Sequence, residues 1–124
     1  MRSLILPLLV VLFLPGYWPD EKPGPSERAD EIGDISAGRA LIVANGCGTC
    51  HIIPGIDTAQ GLVGPPLNHM ARRRIIAGVM QNTPANMAQW LLAPQQVVPG
   101  NAMPDVGLTE AEALDVTAYL YTLE

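Results

Sequence analysis

Three side chains able to do chemistry stand together in the run Cys47-Gly48-Thr49-Cys50-His51. Two thiols three positions apart on one turn reach the two vinyl groups of a single porphyrin, and the adjoining imidazole reaches its iron; Cys-x-x-Cys-His is the spacing of covalent haem attachment. The run predicts one haem c joined through Cys47 and Cys50, with His51 as an axial ligand. Covalent attachment lets a small protein hold the group without a large pocket, and a single imidazole leaves a sixth position whose occupant sets the chemistry. Zinc on Cys47, Cys50, His51 and His69 is the weakest reading, because adjacent Cys50 and His51 are awkward ligands for one tetrahedral ion.

The candidates for the sixth position are His69 and the internal methionines Met70, Met80, Met87 and Met103. His69 adjoins a Gly-Pro-Pro-Leu loop and reads as a polar surface residue. Met87 sits among helical residues and reads as a core thioether. Met70 and Met80 have no rigid loop around them. Met103 lies in Pro99-Gly100-Asn101-Ala102-Met103-Pro104, a stiff turn able to deliver a sulfur to the open face of the ring. It is the expected ligand, and a thioether there raises the iron's potential.

Helices must position these groups. Ser36 is the expected cap of a helix over Ala37 to Asn45, ended by Gly46. The stretch Ile52 to Asn68 carries three prolines and three glycines and reads as a loop that wraps something. Thr83-Pro84 opens a helix through Trp90 and Leu92, which Ala93-Pro94 closes. Gln95 to Gly107 is expected to be irregular. Thr109-Glu110-Ala111-Glu112 is a capping box that starts a terminal helix to about Leu123.

At 124 residues the chain has room for one domain. A net charge of −5 with only seven Lys or Arg argues against nucleic acid as partner. Both cysteines belong to the attachment run, so none remains for a further bridge. Residues 1–19 begin Met1-Arg2 and continue with the apolar run Leu4 to Leu14, of the kind found in export signals. As a helix that run spans roughly 16 Å, short of a bilayer core of about 30 Å. An uncleaved N-terminal anchor touching the membrane through residues 4–18 is the alternative. Trp18 then reads as an interfacial or discarded residue. Residues 20–34 read as a flexible acidic, Pro-rich linker, and the functional domain as 35–124.

The residues over 36 to 124 resemble class I cytochrome c. The likeness runs from Gly38-x-x-Leu41 and Asn45-Gly46-Cys47-x-x-Cys50-His51 through Gly64-Pro65-Pro66-Leu67 and Asn82-Thr83-Pro84. It continues in Trp90, Met103-Pro104 and Ala118-Tyr119-Leu120. The sequence is most similar to the cytochrome c domain fused to subunit II of bacterial haem-copper oxidases. No Cys remains to ligate a binuclear copper centre, so the carrier module on its own is expected. The resemblance implies an all-α fold, with three or more helices wrapped around one haem. It also implies that the Pro65 carbonyl accepts from the free ring nitrogen of His51, and that Trp90 packs along the haem edge and donates to a propionate. Gly38 would permit close crossing of the first and last helices near Tyr119. Ile42 departs from the aromatic that relatives often carry.

The expected function is single-electron transfer by a monohaem carrier without substrate turnover, in the periplasm or on the outer face of the cytoplasmic membrane. The expected donor is a quinol-oxidising complex or a dehydrogenase, and the expected acceptor a terminal oxidase. Two alternatives stand beside it. One is a haem-based gas sensor or small peroxidase with a displaceable sixth ligand, and the other is a membrane-tethered cytochrome subunit of an oxidase or dehydrogenase. Arg72-Arg73-Arg74, the domain's basic cluster, reads either as a solvated turn or as a contact to a propionate or an acidic partner.

Overall fold

The computed structural model describes residues 28–124. The readings placed on residues 1–19, and the first part of the 20–34 segment, lie outside the described residues. Five α-helices follow in chain order: α1 (Ala29–Ile32), α2 (Ile35–Ala44), α3 (Pro84–Leu92), α4 (Pro94–Val97) and α5 (Glu110–Tyr121). Two 3-10 turns, Cys47–Thr49 and Met70–Arg72, and a small hairpin of β1 (Ile75–Ile76) and β2 (Met80–Gln81) complete them. The hairpin is antiparallel, with Ile76 opposite Met80. No described helix is long and apolar enough to cross a membrane.

The end of the segment expected to be a linker is ordered. Ala29 is fully buried in the core, and α1 packs on α5. The backbone N–H of Asp34 then donates to Asp115 on α5 at 2.8 Å. The physical reason is that Ala29 and Ile32 give this short acidic stretch an apolar side that α5 can cover.

Helix α2 begins two residues earlier than expected. Asp34, not Ser36, is its cap, accepting from the Ala37 N–H at 2.8 Å. Asp and Ser cap equally well by type, and the path of the chain, tied to α5 by the Asp34 N–H, selects Asp34. At the other end Asn45 donates from its side chain to the Leu41 carbonyl at 2.9 Å. Gly46 then takes φ +67, the left-handed conformation that stops a helix at little cost to glycine.

Helix α5 has the full capping box: Thr109 Oγ1 accepts from the Glu112 N–H, and the Glu112 carboxylate accepts from the Thr109 N–H at 2.8 Å. The Thr109 N–H, and after it the Thr109 hydroxyl at 3.0 Å, donate to the Glu112 carboxylate and hold it below its usual range. Helix α3 starts at Thr83 and Pro84 as expected. Pro94, expected only to end α3, also opens the extra turn α4, because proline at a first helical position loses no bond.

The core lies where α2, α3 and α5 meet, around Ile42, Met87, Val116 and Leu120. Ile42 is 1% exposed, so the aliphatic side chain fills its place at the crossing. Helices α2 and α5 approach so closely that a Cβ on Gly38 would stand 1.9 Å from the Asp115 carbonyl oxygen. The close crossing is thus present, with Asp115 and Val116 at the point of contact, one turn before Tyr119. The Tyr119 hydroxyl donates to the Pro54 carbonyl at 2.7 Å, tying the 52–68 loop to α5. Thr117, the buried polar residue of the described core, donates to the Ala113 carbonyl at 2.7 Å, so its hydroxyl is satisfied.

Candidate functional site

The attachment run forms the 3-10 turn Cys47–Thr49 immediately after α2, and its geometry is set by main-chain bonds. The His51 N–H donates to Cys47 O at 3.1 Å, Gly61 N–H to Gly48 O at 2.9 Å, Gly64 N–H to Cys50 O at 2.7 Å and Leu67 N–H to Ile52 O at 2.8 Å. The 52–68 loop therefore lies alongside the turn as a second, hydrogen-bonded strand of backbone. A Cβ on Gly61 would sit 2.3 Å from the Thr49 carbonyl oxygen.

This loop fixes the imidazole. His51 Nδ1 lies 2.7 Å from the Pro65 carbonyl oxygen. A carbonyl only accepts, so Nδ1 carries the proton and donates, which leaves Nε2 with a lone pair for a metal. Gly64 lies against the ring, where a Cβ would approach Cε1 to 2.3 Å and both nitrogens to within 2.8 Å. The ring thus rests on a bare Cα and is aimed by the next residue's carbonyl.

Cys47, Cys50, His51 and Pro65 open onto a cavity of about 520 Å³, within the range that small-molecule and cofactor sites occupy. Its walls include Ile42, Leu67, Leu91, Val116 and Leu120, and Arg73 is their one permanently charged side chain. The two thiols are half-buried, and burial pushes the Cys47 thiol above its ordinary value. Two thiols at the edge of an apolar cavity, beside a metal-ready imidazole, suit a flat apolar macrocycle carrying iron. Among the described residues no three His, Cys, Asp or Glu side chains converge as a metal site, which removes the zinc reading.

Trp90 and Met103 also line the cavity, both half-buried. So do Met70 and Met87, which belong to the buried core, at 5% and 2% exposure. Met80 packs against the core without lining the cavity. His69 is exposed, takes φ +56 and stands away from the cavity lining, in keeping with a surface role.

Sequence reasoning missed the side-chain amides around the site. Asn101 Oδ1 accepts from the Met103 N–H at 2.7 Å, and its Nδ2 donates to Val98 O at 2.7 Å and Pro94 O at 2.9 Å. Gln95 Nε2 donates to Asn101 O at 2.8 Å and Met103 O at 3.0 Å. Asn82 Nδ2 donates to Met70 O at 2.7 Å and Arg73 O at 2.8 Å, and its Oδ1 accepts from the Tyr121 hydroxyl at 2.7 Å. Burial pushes that hydroxyl up to about 12. Asn101 follows Pro-Gly, a turn signal; a lone Gln in a turn of α4 carries none. Of the basic cluster, Arg72 and Arg74 are exposed, while Arg73 donates to the carbonyls of Pro66 and Asn68.

The family model described as Cytochrome c matches residues 35–124. The chain belongs to the cytochrome c family. As a cytochrome c it carries one haem c, held covalently through Cys47 and Cys50, in a family of electron carriers. Similar proteins include cytochrome c oxidase subunit 2 of Alkalihalophilus pseudofirmus, 36% identical over 106 residues that cover 82% of this chain and 30% of that protein. Cytochrome c oxidase subunit 2 of Bacillus sp. is 34% identical over 82 residues, covering 63% of this chain and 23% of that protein. Cytochrome c2 of Agrobacterium tumefaciens is 31% identical over 104 residues, covering 71% of this chain and 90% of that protein. This cytochrome c spans less than a third of the length of the two oxidase subunits it matches.

Proposed function

We propose that this cytochrome c passes single electrons between larger redox complexes, with its iron held between His51 and Met103. The observation that carries the reading is the pairing of an imidazole aimed by the Pro65 carbonyl with a thioether held in a braced turn, both on one apolar cavity. Bound haem c supplies a one-electron centre. The protein's part is to fix both ligands, so that little moves when the charge changes, and to keep water from most of the ring. Apolar walls disfavour the added charge of the ferric form and, with a thioether ligand, raise the potential.

Trp90, half-buried on the same cavity, packs along the edge of the ring and donates to a propionate in this reading. Met70 and Met87 serve as apolar wall, since both are packed into the core where Met103 is only half-buried. The domain carries four Arg against six Asp or Glu over residues 35–124. Docking to a partner is therefore less sensitive to salt than in strongly basic carriers.

The two oxidase subunit 2 relatives favour a terminal oxidase as acceptor, with a quinol-oxidising complex or dehydrogenase as donor. The carrier acts in the periplasm or at the outer face of the cytoplasmic membrane, reached through residues 1–19 as export signal or anchor. The same two relatives support a second reading, a subunit held within an oxidase complex. Retention on membranes after a high-salt wash separates it from a free carrier.

The deciding test is the visible spectrum of the ferric protein beside Met103→Ala. A weak far-red sulfur-to-iron charge-transfer band is expected in the parent and absent from the variant. A parent without that band, which binds cyanide or carbon monoxide freely in the matching oxidation states, overturns the carrier reading in favour of a sensor or peroxidase.

A further inference from the structure

The turn Pro99-Gly100-Asn101-Ala102-Met103 is held by one main-chain bond, from the Asn101 N–H to the carbonyl of the preceding Val98 at 3.2 Å. The remaining bonds that hold it come from two side chains. Asn101 belongs to the turn itself and receives the Met103 N–H. Gln95 lies outside it, on α4, and reaches across with both ends of its amide. Its Nε2 donates to the carbonyls of Asn101 and Met103, while its Oε1 accepts from the Gly100 N–H at 3.1 Å.

Both backbone polar groups of Met103 are therefore held by side-chain amides, and one of those amides is anchored to a separate helix. Gln95 is itself exposed and belongs to no part of the core. An exposed residue with three bonds to one turn contributes little to the folding of the whole domain. It decides whether that turn stays closed.

We propose that Gln95 is a positioning residue for the sixth ligand: its amide staples the Met103 turn to α4 and sets how readily an outside ligand displaces the thioether. The proposal rests on the reading of Met103 as iron ligand. An external ligand binds only the fraction of molecules whose turn has opened, so its apparent affinity reports that fraction. Each neutral hydrogen bond contributes about 0.5–1.5 kcal/mol. Losing the two donors to Asn101 and Met103 thus raises the open fraction on the order of tenfold, equivalent to about 1.4 kcal/mol.

The test uses the haem-loaded full chain as parent, Gln95→Leu, Gln95→Glu and Met103→Ala. Imidazole binding to the ferric protein and thermal loss of the far-red band are measured beside helix unfolding followed by far-ultraviolet circular dichroism. Gln95→Leu is expected to bind imidazole roughly tenfold more tightly, and to lose the band at a lower temperature while its helices melt as in the parent. Gln95→Glu keeps an acceptor for Gly100 but sets a carboxylate against two carbonyls, so it is expected to equal or exceed that effect. Asparagine and other polar replacements are not needed for the decision, because the Leu and Glu arms differ in charge and agree only if the lost donors are the cause.

Parent-like imidazole affinity in both variants, with the band present in the parent and lost in Met103→Ala, overturns this proposal and leaves the ligand reading intact. Band loss that only follows helix unfolding also overturns it, because Gln95 is then merely structural. Absence of the band from the parent overturns both.

Discussion

The attachment segment and the Met103 turn serve one cavity but are held by different bonds. Cys47 to Leu67 is laced by main-chain hydrogen bonds at Gly48, Cys50 and Ile52, and only glycine fits where the backbones touch. The turn around Met103 is held chiefly by the amides of Asn101 and Gln95. Main-chain bonds persist under most substitutions and fail when bulk is forced between the strands. Side-chain bonds fail one residue at a time. The covalent side of the site is thereby rigid, and the exchangeable side is adjustable.

Between these two regions, Gly61→Ala is the substitution expected to cost most. Its Cβ would meet the Thr49 carbonyl and the Cys50 backbone at 2.3 and 2.4 Å, where no flexible side chain can yield. A loss of about 3 kcal/mol is expected from forced overpacking, read as a lower urea midpoint and a lower yield of haem-loaded protein. A parent-like midpoint would show that the lacing is looser than the geometry states.

Asn101→Ala comes next and strikes the other side. It removes three bonds of the Met103 turn, and a loss of about 2 kcal/mol is expected, concentrated in the far-red band before the helices melt. If helices and band fail together, the contrast between the two regions disappears. Arg73→Lys sharpens the comparison, because Arg73 braces the attachment loop with a side chain, through Pro66 and Asn68, as Tyr119 does at Pro54. Both bonds leave one guanidinium nitrogen, Nη2, and the flexible stem of a lysine holds its ammonium less firmly at that point. A cost of about 1 kcal/mol is expected, with the far-red band unchanged at room temperature.

Tyr121→Phe is the smallest change at neutral pH and acts outside both regions. The Tyr121 hydroxyl, pushed up to about 12 by burial, keeps its proton in the folded state where the unfolded chain has already lost it above about pH 10. Its contribution is therefore full below pH 10 and is lost as pH rises toward 12. Urea midpoints of the Phe variant should fall less steeply over that interval than those of the parent. An identical fall in both would assign the alkaline loss to other groups.

The cofactor, its covalent anchors and the helices at Thr83-Pro84 and Thr109 were legible in sequence because each depends on neighbours within a few positions. The Asp34 cap was not, since Ser36 is an equally good acceptor by type and only the path of the chain decides between them. The small hairpin escaped notice because Ala77 takes φ +52 at its tip, where turn chemistry favours Gly or Asn. Gln95 and Asn82 act across a fold, joining elements that no local pattern connects. Met70 and Met87 show the same limit from the other direction: sequence separates core thioethers from a ligand by the company they keep, yet all three sulfur-bearing residues reach the cavity.

The crossing of α2 and α5 at Gly38 also imposes an order in time. The two helices come from opposite ends of the domain, and long-range closure of this kind follows local structure. In a chain made from its N-terminus, Cys47 and Cys50 emerge before Asp115 exists to receive Gly38. The attachment run is therefore made before the helix that completes the walls of its cavity, since Val116 and Leu120 of α5 line it.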